Sequence, residues 1–299
     1  MTRMPVLQRA CLNEIGGGTA MSETQRTAIV TGAAGGIGRA IVPGLLGAGM
    51  RVAAVDVAAA GLAALAEDAR TMGREKALLT IVADLSQDAA AADIVGRTRS
   101  RFGDVDILVN NAGVGQRTLR ADSWRQPIRF WEVKPDDWRR FVAVHTTAPL
   151  LLAQAVVPAM IEAKWGRIVN VTTSLGTMIR DGSPTYGPSK AALEALSAIM
   201  AKDLGGSSVT VNVLVPGGIT NTGMVVDSGF DPSEMIQPEV MTPPLLWLLS
   251  SAADTVSGRR FLAVHWDPAL PAEQAAEKAG APIAWTSIAT MPIEPSRRA

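Results

Sequence analysis

Short β-branched runs recur along this 299-residue chain, and a longer Ala- and Leu-rich stretch follows almost every one. The runs are "TAIVT" (27–31), "RVAAVD" (51–56), "ALLTIVAD" (77–84), "DILVNN" (106–111), "RIVNVT" (167–172), "VTVNVLVP" (209–216) and "RFLAVH" (260–265). Most are nearly continuous in hydrophobicity instead of alternating, the pattern of strands covered on both faces, as in a parallel sheet. The stretches between them, such as "GRAIVPGLLGAG" and "SKAALEALSAIMAKDLG", have helical length and composition. This alternation predicts a doubly wound α/β fold with its ligand crevice beyond the carboxyl ends of the strands. A chain with 47% hydrophobic and 19% charged residues can form the core of one large domain of this kind.

Patterned sequence begins at "TAIVTG". Residues 1–22 are therefore expected to be a flexible extension or a docking arm, residues 23–267 the folded domain, and residues 268–299 a C-terminal extension. Two stretches break the rhythm: the tryptophan-rich 115–138 and the proline-punctuated 220–244. Long irregular connections of this sort act as lids or interface elements. Lys plus Arg equals Asp plus Glu at 28 each, so no net field draws the chain to nucleic acid or to an anionic membrane. The single cysteine, Cys11, allows no intrachain disulfide. The N-terminus lacks an apolar core of signal-peptide length, and the most apolar stretch, 149–161, is short for a bilayer and contains Gln154 and Pro158. The expectation is a soluble cytoplasmic protein, a homodimer or homotetramer, acting on a small molecule without a metal.

The first run leads into "TGAAGGIG", which sets Gly32, Gly36, Ile37 and Gly38 between a strand and a helix. Glycines there permit a tight turn and let backbone N–H groups approach a pyrophosphate at the helix N-terminus. The next strand ends in Asp56, 18 residues after Gly38. A carboxylate in that place accepts both hydroxyls of an adenosine ribose and repels a 2′-phosphate. The reading is a nicotinamide dinucleotide site that prefers NAD, with NADP the weaker alternative.

The only tyrosine of the chain, Tyr186, stands four residues before Lys190. On a helix the two share a face, within about 6 Å. A free phenol has a pKa of about 10, and bringing it to about 7 requires roughly 4 kcal/mol. A cation about 5 Å away at an effective dielectric of 20 supplies about 3 kcal/mol of this. The spacing therefore suits a tyrosine that moves a proton.

With these motifs together, the chain resembles the short-chain dehydrogenase/reductase family. The resemblance runs from about Thr27 to Leu262 and rests on "TGAAGGIG" (31–38), "DL" (84–85), "NNAG" (110–113), "GRIVNVTT" (166–173), "YGPSK" (186–190) and "PGGI" (216–219). It implies a Rossmann-like single domain with a central seven-stranded parallel sheet, and hydride transfer between a nicotinamide cofactor and an alcohol/carbonyl pair. It implies Tyr186 as general acid/base and Lys190 as the residue that tunes it and holds the nicotinamide ribose. Asp84 and Leu85 would flank the adenine, and Asn111, Ala112 and Gly113 the adjoining ribose. Pro216, Gly217 and Ile219 would lie along the nicotinamide end, with the Ile219 backbone on the carboxamide.

Three departures from the family pattern stand out. The catalytic serine, 13 residues before the tyrosine, is replaced by Thr173, with Ser174 next to it. Either hydroxyl can polarise a carbonyl. The relay asparagine, about 28 residues further back, is replaced by His145. An imidazole there either keeps a relay with a pH dependence of its own or only fills space in the helix. The C-terminal sequence also differs, and its His265, Trp266 and Trp285 either pack structurally or cover the substrate mouth or a neighbouring subunit.

The lid residues Met224, Val225, Val226, Phe230, Met235 and Ile236 favour a hydrophobic or cyclic alcohol, whereas Arg180 and Asp181 near the catalytic turn favour polar groups. The leading reading is an NAD-dependent dehydrogenase of secondary alcohols, or ketone reductase. The competing one is a dinucleotide-binding sensor or interaction protein with impaired catalysis. A sugar-nucleotide dehydratase or epimerase shares the Tyr–Lys spacing but usually adds a separate substrate domain.

Overall fold

The structure is a computed structural model and describes residues 25–226 and 228–286. The expected extension at residues 1–22 lies outside them. The alternation read from the sequence appears as β1 (Thr27–Thr31), α1 (Gly36–Gly47), β2 (Arg51–Asp56), α2 (Ala59–Thr71), β3 (Leu78–Val82), α3 (Ala89–Phe102) and β4 (Ile107–Asn110). After the tryptophan-rich stretch come α4 (Pro135–Val142), a π-helical turn (Ala143–Thr147) and α5 (Ala148–Glu162). Next are β5 (Gly166–Val171), α6 (Leu175–Met178), α7 (Tyr186–Asp203) and β6 (Val209–Val215). The chain closes with α8 (Thr242–Leu248), β7 (Arg259–Leu262), α9 (Ala272–Ala279) and β8 (Gly280–Pro282).

The strands form one sheet in the order β3-β2-β1-β4-β5-β6-β7-β8. Seven are parallel, and β8 runs antiparallel to β7, pairing Arg260 with Ala281. The sheet thus has eight strands where seven were expected. The additional strand comes from the segment expected to be an extension: α9 buries Ala275, Ala276 and Ala279 and delivers Gly280 back to the sheet edge.

Continuous apolar strands are explained by the layers on either side. From β1, Ala28 and Val30 face a core containing Ile41, Leu45 and Leu245. Ile29 faces the opposite core, with Ile94, Leu152 and Val156. Each fully buried aliphatic side chain contributes about 1.5–3 kcal/mol, so both faces of the strand resist polar substitution.

The helical run 135–162 is long and apolar enough to cross a membrane by length and composition, a length the apolar stretch 149–161 did not reveal. In this fold its Leu152, Val156 and Met160 pack beneath the sheet against Ile94 and Val95 of α3. The strand order reverses between β1 and β4, opening a crevice at their carboxyl ends where a ligand can enter an open α/β sheet.

Candidate active site

The crevice is walled on one side by the glycine loop. Gly32 has φ +65°, and a Cβ on it would stand 2.7 Å from the Ala112 Cα. At Gly38 a Cβ would meet the Gly32 carbonyl oxygen at 2.0 Å, so the strand, the turn and α1 interlock only without side chains. The loop is held from β4: Asn111 Nδ2 donates to the carbonyls of Thr31 and Gly32, both at 3.0 Å. The Asn111 and Ala112 N–H groups donate to Thr31 Oγ1 at 3.1 Å. No side chain caps α1, and around Gly35 there is open space. An uncapped helix start behind an open glycine turn fits a pyrophosphate.

Asp56 lies at the end of β2, as expected. Its Oδ2 accepts the Ala34 N–H and its Oδ1 the Ala58 N–H, both at 2.9 Å. The carboxylate is therefore fixed against the glycine loop, and each oxygen keeps a lone pair for a further donor. Arg39, one residue after Gly38, pairs with Asp68 at 2.5 Å. Leu85 is buried and Asp84 exposed beyond β3; the Ser86 backbone N–H and hydroxyl hold the Asp84 carboxyl below the usual carboxylate range. Pro216, Gly217 and Ile219 follow β6, where the Ile219 carbonyl accepts the Ile236 N–H at 3.0 Å.

The other wall carries the tyrosine. Tyr186 is the first residue of α7 and is partly buried, with Lys190 buried one turn on. Thr173 follows β5, and its side chain is near enough to the phenol to pull its pKa down. Ser174 is the N-cap of α6 instead, its carbonyl accepting the Thr177 N–H at 2.8 Å. Burial pushes the phenol above its ordinary pKa, opposed by the Thr173 hydroxyl and the nearby Arg180 charge. This direction is opposite to the lowering expected from the Tyr186–Lys190 spacing. Lys190 Nζ donates to the Val171 carbonyl at 2.8 Å, and burial lowers the ammonium to about 8.

His145 sits in the π-helical turn with no exposed surface. Its Nε2 accepts the Val114 N–H at 2.9 Å, so Nδ1 carries the proton and donates to Ser189 Oγ at 2.8 Å. Ser189 in turn donates to the Tyr186 carbonyl at 2.9 Å. Desolvation, then the Lys190 charge, holds the imidazole well below its ordinary pKa. The ring thus ties the loop after β4 to the start of α7, and both its nitrogens are engaged. Its edge also packs on the Tyr186 ring, centroids 5.4 Å apart.

Sequence reasoning missed one buried network beneath the tyrosine. Glu194, two turns along α7 from Tyr186, accepts from Thr172 Oγ1 at 2.6 Å, Arg260 Nε at 3.0 Å and the Ala284 N–H at 3.1 Å. Arg260 Nη2 donates to the Thr173 carbonyl at 3.0 Å, fixing the residue beside the phenol. A glutamate on the Lys190 face of α7, paired with an arginine in the apolar run of β7, was the available signal. Of the other C-terminal side chains, Trp266 packs on Trp247 at 5.7 Å and His265 is exposed.

The lid and the tryptophan-rich stretch meet over this crevice. Met224 covers Gly115, where a Cβ would stand 2.5 Å from its Cγ, and Phe230 meets Trp124 edge-on at 5.6 Å.

The family profile described as short chain dehydrogenase matches residues 26–231. This chain belongs to the short-chain dehydrogenase family. It is an oxidoreductase of that family. It is 30% identical over 246 residues to a 3-oxoacyl-[acyl-carrier-protein] reductase of Synechocystis sp., covering 80% of this chain and 95% of the relative. It is 37% identical over 192 residues to the D-threitol dehydrogenase of Mycolicibacterium smegmatis, covering 64% of this chain and 69% of the relative. Among solved structures, a metagenomic short-chain oxidoreductase in complex with NADP superposes with a TM-score of 0.67 at 30% identity, covering 81% of this chain and 97% of that one.

Proposed function

We propose that this oxidoreductase moves a hydride between NAD(H) and a secondary alcohol/ketone pair, with Tyr186 as general acid/base. One observation carries the reading: the single phenol of the chain has the Thr173 hydroxyl beside it, with a buried ammonium one helical turn away. When bound, the nicotinamide supplies the hydride donor or acceptor.

In the reducing direction the neutral phenol, which burial favours, gives its proton to the carbonyl oxygen while the Thr173 hydroxyl donates to the same atom. The Lys190 cation stabilises the phenolate left behind and restores its proton. The backbone of Gly32, Gly36, Ile37 and Gly38 takes the pyrophosphate, and Asp56 the adenosine ribose. Asp84 and Leu85 bracket the adenine, and Asn111, Ala112 and Gly113 support the adjoining ribose. Pro216, Gly217 and Ile219 receive the nicotinamide end. His145 acts by holding Val114 and Ser189 in place, not by carrying protons.

Asp56 supports NAD: its carboxylate is anchored beside the glycine loop, where it would oppose a 2′-phosphate, and Arg39 pairs with Asp68. The NADP bound in the structural relative makes this the first point to measure.

Tyr186→Phe tests the reading. Turnover of secondary alcohols should fall at least about a thousandfold, consistent with losing acid–base catalysis of about 10²–10⁴, while NADH affinity changes little. Substantial residual turnover would contradict the assignment. The engagement of both His145 nitrogens at the relay position keeps the sensor reading in view, which predicts cofactor binding without turnover of any alcohol or ketone.

A further inference from the structure

Three segments, one of them the loop just before Tyr186, each contribute one side chain to a single stack. Arg180 comes from the loop before α7, Trp124 from the tryptophan-rich stretch, and Phe230 from the lid. The Arg180 guanidinium carbon lies 5.2 Å from the Trp124 ring centroid, and Trp124 meets Phe230 edge-on at 5.6 Å.

The loop that carries Arg180 is tethered. Gln116 Nε2 donates to the Gly182 carbonyl, and Gln116 Oε1 accepts from Thr185 Oγ1 at 3.2 Å. Among the described residues no carboxylate pairs with Arg180, although Asp181 is its neighbour in sequence. Elsewhere an arginine near an acid pairs with it, as Arg120 does with Glu132 at 3.0 Å.

A guanidinium laid on an indole is oriented but keeps its in-plane donors free. Those donors form a planar fork that matches a carboxylate bidentately. Its charge also reaches the phenol, since Arg180 is one of the two influences that oppose burial at Tyr186. Arg180 stands six residues before Tyr186 on a loop tethered through Gly182 and Thr185, so a ligand carboxylate held by it would extend toward the start of α7.

Resting on the dehydrogenase reading above, we propose that Arg180 is the specificity-determining residue of this site and that the substrate is a hydroxy acid/oxo acid pair whose carboxylate it binds. Trp124 orients the guanidinium, and Phe230 closes over the indole from the lid. Chemically this differs from a neutral polyol, such as the threitol named for the Mycolicibacterium relative. Pairing also withdraws the Arg180 charge from the phenol, leaving the proton donor more firmly protonated for reduction.

The test compares acids with their methyl esters. 2-Oxopropanoate, 3-oxobutanoate and 4-oxopentanoate, which place the carbonyl progressively further from the carboxylate, are assayed with NADH alongside the three esters. Wild type, Arg180→Met and Arg180→Lys are used. At least one acid should exceed its ester roughly tenfold in kcat/KM. Arg180→Met should erase the preference through the KM of the acid, and Arg180→Lys should restore part of it.

In parallel, calorimetric titration of the NADH-saturated protein with the same acids reads binding without turnover. Arg180-dependent binding without turnover would sustain the carboxylate site and sink the dehydrogenase reading. Turnover of esters and acids alike, or an equal loss of both in Arg180→Met, would overturn the carboxylate site and leave the dehydrogenase standing. Absence of Arg180-dependent affinity for all three acids would also overturn it.

Discussion

Three titratable side chains in the site, His145, Tyr186 and Lys190, lose the solvent that would stabilise their charged forms. In each the largest influence is burial, and in each it favours the neutral species. For His145 the hydrogen bonds reinforce the effect, because protonating Nε2 would set a ring N–H against the Val114 N–H. The folded state therefore resists binding a proton that the unfolded chain takes up near its ordinary value of about 6.5. A depressed folded pKa contributes stability that is fully present above about 6.5 and is lost as pH falls toward the folded value. The slope of that loss approaches about 1.4 kcal/mol per pH unit. Denaturant midpoints at pH 7, 6 and 5 should show wild type losing more stability on acidification than His145→Asn, by up to that slope. Parallel losses would mean that the imidazole titrates normally and is free to relay protons.

At the scale of elements, the site depends on where α7, β5 and β7 are fastened together. Glu194 and Arg260 are almost fully buried, and their carboxylate and guanidinium bond Thr172, the Thr173 carbonyl and the Ala284 N–H. Removing one member of such a pair leaves an uncompensated buried charge and costs about 3–5 kcal/mol. Arg260→Met should lower stability by this order in chemical denaturation and also reduce kcat, because Thr173 loses its anchor. Glu194→Met combined with Arg260→Met should recover most of the stability but not the rate. Equal stability of Arg260→Met and wild type would remove the network from the account. The same logic explains what the sequence showed and what it concealed. Continuous apolar runs announced seven strands because each is covered on both faces. "GAP" at 280–282 has no such run: it is a three-residue antiparallel edge strand, held by Arg260 and Phe261 of β7. The glycine loop, Asp56 and the Tyr186–Lys190 spacing were legible because their chemistry is local. The Glu194–Arg260 pair and the Arg180–Trp124–Phe230 stack were not, since each joins residues brought together only by the fold. The direction of the Tyr186 shift was hidden for a related reason: spacing shows the nearby charge but not the desolvation.

Across the whole molecule, the crevice at the β1–β4 reversal brings a glycine loop fixed by Asn111 to the same mouth as a tyrosine fixed by the β5–α7 network. The lid residue Met224 packs on Gly113 and Gly115 beside this mouth. In the proposed function this crevice is a dinucleotide site in which Asp56 selects NAD, so separate titrations of the protein with NADH and NADPH test it most directly. The predicted result is saturable NADH binding at least about tenfold tighter than NADPH, a difference of about 1.4 kcal/mol, reflecting the Asp56 carboxylate opposing a 2′-phosphate. Tighter NADPH binding would contradict the role given to Asp56, and binding of neither would contradict the dinucleotide site itself.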